Sequence, residues 1–108
     1  MIGFKQERSR LIVFLHGDID HREAGELRTQ IEHQIAKNKP KELLLDFSQV
    51  SFMDSSGIGM IIGRYKTMTK YGGCVTASGM NDFVLRLFRM AGLHRIIAIE
   101  EERMETQA

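Results

Sequence analysis

"VSFMDSSGIGMIIGRYK", residues 50–66, passes from an apolar stretch through an aspartate, two serines and a glycine into a second apolar run in which glycine recurs. Beyond Gly57 the residues Ile58, Ile61, Ile62, Tyr65 and Met68 return at the three-and-four spacing of one helix face, as far as a stop at Gly72-Gly73. Before it, "ELLLDF" at 42–47 is short, apolar and bounded by charge, the pattern of a buried strand. The stretch therefore straddles a strand-to-helix junction, and Asp54-Ser55-Ser56 sits where the helix needs a cap. That junction is the unit from which α/β folds are assembled.

The flanking sequence repeats the same unit. "IGFKQE" at 2–7 alternates apolar and polar residues, and the β-branched run "RLIVFLHG" at 10–17 closes on Gly17; with a turn at Arg8-Ser9 they predict a β-hairpin. Asp20-His21-Arg22-Glu23 has the form of a capping box, and Ala24, Leu27, Ile31 and Ile35 follow at helical spacing. Pro40 ends that helix near Asn38, because proline disfavours helical geometry in the residue before it. "CVTASG" predicts a strand, and Asn81 a cap for a helix presenting Val84, Leu87, Phe88 and Ala91, with Gly92 at its C-terminus. "RIIAIE" predicts a last strand, followed by the polar tail "EERMETQA". The order ββ-α-β-α-β-α-β makes one α/β domain of residues 1–108, without linker, repeat or low-complexity segment.

Composition narrows the function. A chain of 108 residues buries only about two-thirds of its unfolded surface, which argues against a deep two-lobed active site. Fifteen basic residues against fourteen acidic ones leave no footprint for direct nucleic-acid binding or for an anionic membrane. The one cysteine, Cys74, cannot form an internal disulfide, and no Cys/His group has zinc-site spacing. The N-terminal "MIGFKQERSR" is charged where a signal peptide is apolar, and no apolar run reaches the length of a membrane span. These features predict a cytoplasmic protein without membrane insertion, and no cofactor is called for.

Several chemical readings of the junction fail on spacing. A hydrolase nucleophile elbow needs glycine two residues before and two after its serine. Met53 breaks the pattern for Ser55, and Asp54 and Ile58 break it for Ser56; neither serine has an evident histidine partner in sequence. Gly57, Gly59 and Gly63 give G-x-G-x-x-x-G, one residue too long for a dinucleotide loop, and no Gly-Lys-Ser/Thr follows. Three glycines inside a helix, each costing about 1 kcal/mol relative to alanine, instead predict close packing. His16, His21, His33 and His94 fall on different elements and predict surface or capping roles. Asp20 is expected to cap its helix and Asp18 to shape a turn, while both follow a strand and so approach the sheet edge of Asp54. What remains for Asp54-Ser55-Ser56-Gly57 is capping alone or a covalent switch, since a phosphate there would lie against free N–H groups at a helix N-terminus.

The same "VSFMDSSGIGMIIGRYK" closely resembles the signature of STAS domains, and among them the anti-sigma-F factor antagonists of spore-forming bacteria. "HGDID" at 16–20 resembles the family's turn of glycine, an acid, leucine and aspartate, and "FRMAGLHRIIAI" at 88–99 resembles its terminal helix-strand segment. The resemblance implies a mixed sheet of about five strands packed with three to four helices. It implies a regulator without catalysis of its own, phosphorylated on the serine that follows the motif's aspartate, here Ser55, by an anti-sigma factor serine kinase. The unphosphorylated form would bind that kinase and release the sigma factor, and a PP2C-type phosphatase would reverse the modification. A general-stress antagonist or an assembly-docking STAS domain would keep the serine and change the partner. A small nucleotide-binding protein is the remaining alternative.

The partner surface expected from this is the turn before the helix and its first turns: Asp54, Ser56, Gly57 and Gly59, with Asp20 from the neighbouring loop. Arg64 and Lys66, further along, are expected in solvated positions. Capping alone does not choose between Ser55 and Ser56 as phosphate acceptor.

Overall fold

The computed structural model of the chain describes residues 2–100. Nine elements follow in order: β1 (Ile2–Glu7), β2 (Arg10–Ile19), α1 (His21–Asn38), β3 (Glu42–Met53), α2 (Ser55–Lys70), β4 (Cys74–Ser78), α3 (Asp82–Met90), a 3-10 turn (Leu93–Arg95) and β5 (Ala98–Glu100). The five strands form one mixed sheet in the order β1-β2-β3-β4-β5. The hairpin β1-β2 is antiparallel and every later pairing is parallel, so each of α1, α2 and α3 is a crossover between neighbouring strands.

Strand alternation decides where the core lies. Leu11, Val13 and Leu15 of β2, Leu43, Leu45 and Phe47 of β3, and Val75 and Ala77 of β4 form one cluster with Ala24, Leu27, Ile31 and Ile35 of α1. Met60, Ile61 and Met68 of α2 and Val84 and Phe88 of α3 complete it. The residues between them point the other way, where Arg10 pairs with Glu42 at 3.2 Å and Glu100 at 2.9 Å, and Thr76 Oγ1 donates to Glu42 at 2.9 Å. One polar network thus crosses four strands. Glu42, through its hydrogen bond and its charge, helps hold the Arg10 guanidinium pKa above its ordinary value, against the opposing effect of burial.

The sequence reading of the elements holds, with three corrections. β2 does not stop at Gly17: it runs on to Ile19 through a residue with φ +81° that only glycine adopts at little cost, and its pairing with β3 shifts register on either side. Asp18 is consequently a strand residue opposite Phe52 rather than a turn former. β3 continues from "ELLLDF" through Met53, because Val50 and Met53 are buried while Ser48, Gln49, Ser51 and Phe52 are exposed. The last strand is shorter than "RIIAIE", since Arg95 closes the 3-10 turn and Ile96 is 44% exposed. The polar tail at 101–108 lies outside the described residues. Among the described residues no helix is long and apolar enough to cross a membrane.

Candidate functional site

Parallel pairing of β2 with β3 sets Ile19 opposite Met53, and the chain leaves both strands through an aspartate. Asp20 Oδ1 accepts from the backbone N–H of Glu23 at 2.9 Å and caps α1; Asp54 Oδ1 accepts from the N–H of Ser56 at 2.8 Å and caps α2. The Asp54 N–H donates to the Ile19 carbonyl at 3.2 Å, which ties the two exits together. The carboxyl ends of adjacent parallel strands therefore bring the positive ends of α1 and α2 side by side, the usual location of ligand and partner sites in α/β sheets. Asp20 and Asp54, far apart in sequence, meet here, and each carboxylate is occupied as a cap.

The tandem serines differ in their surroundings. Ser55 is the first residue of α2 and is exposed, and its hydroxyl makes no hydrogen bond among the described residues. Ser56 is half-buried, with Oγ 3.3 Å from Nδ1 of His21, the first residue of α1. A histidine partner for one serine thus exists, which the linear sequence concealed because it comes from the neighbouring helix. Two parts of a hydrolytic site are still missing: no carboxylate among the described residues orients the other ring nitrogen, and the Ser56 N–H is spent on Asp54.

Only one of the three glycines packs as expected. A Cβ on Gly57 would run into Met53 Cγ and lie 2.6 Å from its Sδ and 3.2 Å from Ile19 Cγ2, so this glycine lets α2 start directly against the strand ends. Gly59 and Gly63 would meet nothing within 4 Å, contrary to the close packing expected of them. All three lie within α2 rather than in a loop, so they form no phosphate cradle. Gly59 is exposed and lines a groove between α1 and α2 together with His21, Ala24, Gly25, Arg28, Ser56 and Met60. Ser56 and Gly59 thus share one concave surface with α1, and Ser55, the first residue of α2, is not among the residues that line it.

Arg64 is the residue that sequence reasoning misplaced. It is 6% exposed, with Nε 2.6 Å from Glu32 Oε2 of α1, and Glu32 also accepts from Thr67 Oγ1 at 2.7 Å. The contact with Glu32 is a short ion pair, and Nη1 has no hydrogen-bond partner among the described residues. Burial lowers the guanidinium pKa and Arg28 adds to the effect, against the opposing pull of Glu32. The signal was present: Arg64 falls on the buried series Gly57, Met60, Ile61, Met68. Lys66 is exposed as expected, as are His16, His33 and His94. No group of three or more metal-ligating side chains is assembled among the described residues.

Comparisons with known proteins agree with this architecture. Residues 2–106 match the STAS domain family. The chain is 35% identical over 103 residues to the anti-sigma F factor antagonist of Paenibacillus polymyxa, covering 95% of this chain and 88% of that protein. It is 31% identical to the anti-sigma-B factor antagonist of Bacillus subtilis, covering 91% and 88%. Among solved structures, the anti-sigma factor antagonist SpoIIAA in its unphosphorylated form superposes with TM-score 0.84 at 23% identity, over 99% of this chain and 92% of that one. The phosphorylated form of the Bacillus protein superposes with TM-score 0.77 at 22% identity, over 99% and 96%. At those identities the superpositions establish a shared fold.

Proposed function

The chain belongs to the STAS domain family, and from that premise we propose that it is an anti-sigma factor antagonist switched by phosphorylation of Ser55. Unmodified, it docks on an anti-sigma factor that is also a serine kinase and so frees a sporulation sigma factor. Phosphate on Ser55 blocks the docking, and a PP2C-type phosphatase restores it. The observation that carries this reading is the exposed hydroxyl of Ser55, without a hydrogen bond among the described residues, beside a cap whose side-chain acceptor is Asp54. Phosphoryl transfer needs a hydroxyl that can line up with the donor phosphate. Because Asp54 holds the helix start, modification of Ser55 leaves the cap in place.

The size of the effects favours a local switch over refolding. A phosphoserine adds about −1.5 to −2 charge at pH 7. At a helix N-terminus such charge is stabilising by about 0.3–1 kcal/mol, and by about 2 when partly buried. Opposed or desolvated in a docked interface it costs several kcal/mol, and each 1.4 kcal/mol is about tenfold in affinity. The free protein therefore tolerates the phosphate that its complex does not. Asp20, Asp54, Ser56 and Gly59 form the docking surface with Ser55, while the buried Gly57, expected there from the sequence, contributes only by letting α2 start against the strand ends.

The test is to mix the protein with a sporulation anti-sigma kinase and ATP, following phosphate incorporation and complex formation for wild type, Ser55→Ala and Ser55→Asp. The alanine variant is expected to bind while taking up little label, and the aspartate variant to bind poorly. Undiminished labelling of the alanine variant removes Ser55 as acceptor; equal binding by all three removes the charge switch. The similarity to an anti-sigma-B factor antagonist favours a second reading, in which the same switch serves a different sigma factor. Running the assay in parallel with a sigma-B-type anti-sigma kinase separates the two by which complex forms.

A further inference from the structure

Tandem serines at a phosphoacceptor turn pose a problem of site selection, and the contact between α1 and α2 offers a solution. Successive helix residues project about 100° apart, so Ser55 and Ser56 face different surroundings. The hydroxyl of Ser56 turns toward α1, where it meets His21 Nδ1 at 3.3 Å, in the groove that Gly59 and Met60 also line. With the ring proton on Nε2, the Ser56 hydroxyl donates to Nδ1; with Nδ1 protonated, the ring donates to Oγ. Either way the Ser56 oxygen is engaged, while the Ser55 oxygen has no partner among the described residues.

We propose that His21 is a specificity-determining positioning residue, which holds the Ser56 hydroxyl against α1 and so confines phosphorylation to Ser55. Ser56 is then a latent second acceptor. The inference rests on Ser55 being the acceptor of the switch. In the transfer step the serine oxygen bonds to the γ-phosphorus of ATP as the bond to the ADP oxygen breaks, and the hydroxyl proton passes to a base of the kinase. For Ser56 to follow this course its oxygen must first leave His21. Ser55 meets no such requirement. The arrangement comes from the fold: Asp20 starts α1 beside the start of α2, and that places His21 within reach of a residue 35 positions later.

The experiment uses the full chain with an anti-sigma kinase and ATP, and reads initial labelling rates together with the position of the phosphate by mass spectrometry. Wild type and Ser55→Ala test the acceptor itself: an unlabelled wild type, or a Ser55→Ala variant labelled as fast as wild type, sinks the Ser55 reading. The role of His21 is tested within the Ser55→Ala background. Adding His21→Ala is expected to raise labelling at Ser56 about two- to tenfold, the range that one modest hydrogen bond supplies. Adding His21→Gln, which can still hydrogen-bond, is expected to return the rate toward that of Ser55→Ala alone. Labelling of Ser56 that is no faster without the imidazole overturns the proposal while leaving the Ser55 reading intact. A glutamine variant as fast as the alanine variant overturns it too. Circular dichroism of the double variants, matched to wild type, excludes unfolding as the source of any gain.

Discussion

Asp54 Oδ1 lies 2.8 Å from the backbone nitrogen of Ser56, so the helix carrying the proposed phosphoacceptor is capped by the residue before that acceptor. Structural and switching roles are thereby assigned to neighbouring side chains. A phosphate on Ser55 therefore does not have to displace the cap.

Asp54→Ala is accordingly expected to lower unfolding free energy by about 1 kcal/mol, the usual worth of such a cap. Ser55→Ala removes an exposed hydroxyl that has no partner among the described residues and should stay within about 0.5 kcal/mol of wild type. Urea unfolding at constant m-value measures both. Equal losses would mean that Ser55 shares in the cap.

Two glycines of α2 should respond in opposite directions to the same substitution. Gly57→Ala places a methyl group against the fully buried Met53, and overpacking of this kind costs about 1–3 kcal/mol, more than the roughly 1 kcal/mol of helix propensity gained. Shortening Met53 in the same chain should give a double variant less destabilised than the sum of the singles. Gly59→Ala meets no atom within 4 Å and should raise stability by up to about 1 kcal/mol. If the groove receives the kinase, that stabilised variant will nonetheless bind it more weakly. Thermal unfolding and a binding titration on the same samples separate the effects.

Arg64 and Glu32 form the charged link between α1 and α2. Glu32→Gln leaves a guanidinium that is 7% exposed without its counter-charge. Removing one partner of a buried pair costs about 3–5 kcal/mol, but Glu32 is 37% exposed, so water screens part of the interaction and about 1–3 kcal/mol is expected. Arg64→Met fills similar space without a charge and should cost less. The double variant should be more stable than Glu32→Gln alone, as denaturant unfolding will show; a double variant that is less stable would mean Glu32 acts independently of Arg64.

These elements also show how far the sequence was legible. Asp20, Asp54 and Asn81 announced three helix starts because capping is a local interaction, written within three residues. The α/β order and the approach of Asp20 to Asp54 followed from strands leading into helices, whereas the STAS-type fold followed from the resemblance of residues 50–66 to the family signature. Gly17 misled because a glycine can end a strand or bulge it, and only the pairing with β3 decides which. Arg64 misled because charge suggests solvent, whereas its burial depends on Glu32 from another helix. The His21–Ser56 contact spans two helices, and no periodicity encodes it.

Asn81 joins α3 to the strand that ends in Asp54, and its two functions can be separated. Its Oδ1 accepts from the Val84 N–H at 2.8 Å, while Nδ2 donates toward the carbonyls of Val50 and Ser51 at 3.3 and 3.2 Å. Asn81→Asp keeps the cap, since aspartate caps as well as asparagine, but sets a carboxylate oxygen against two carbonyls. Asn81→Ala loses both, and about 1–2 kcal/mol is expected, with the aspartate variant losing less. Because the donors meet β3 just before the phosphoacceptor turn, loosening them should speed hydrogen exchange at Phe52 and Met53 in both variants. Protection at α3 alone should fall only in the alanine variant. Identical exchange profiles for the two would mean that the bonds to β3, and not the cap, secure α3.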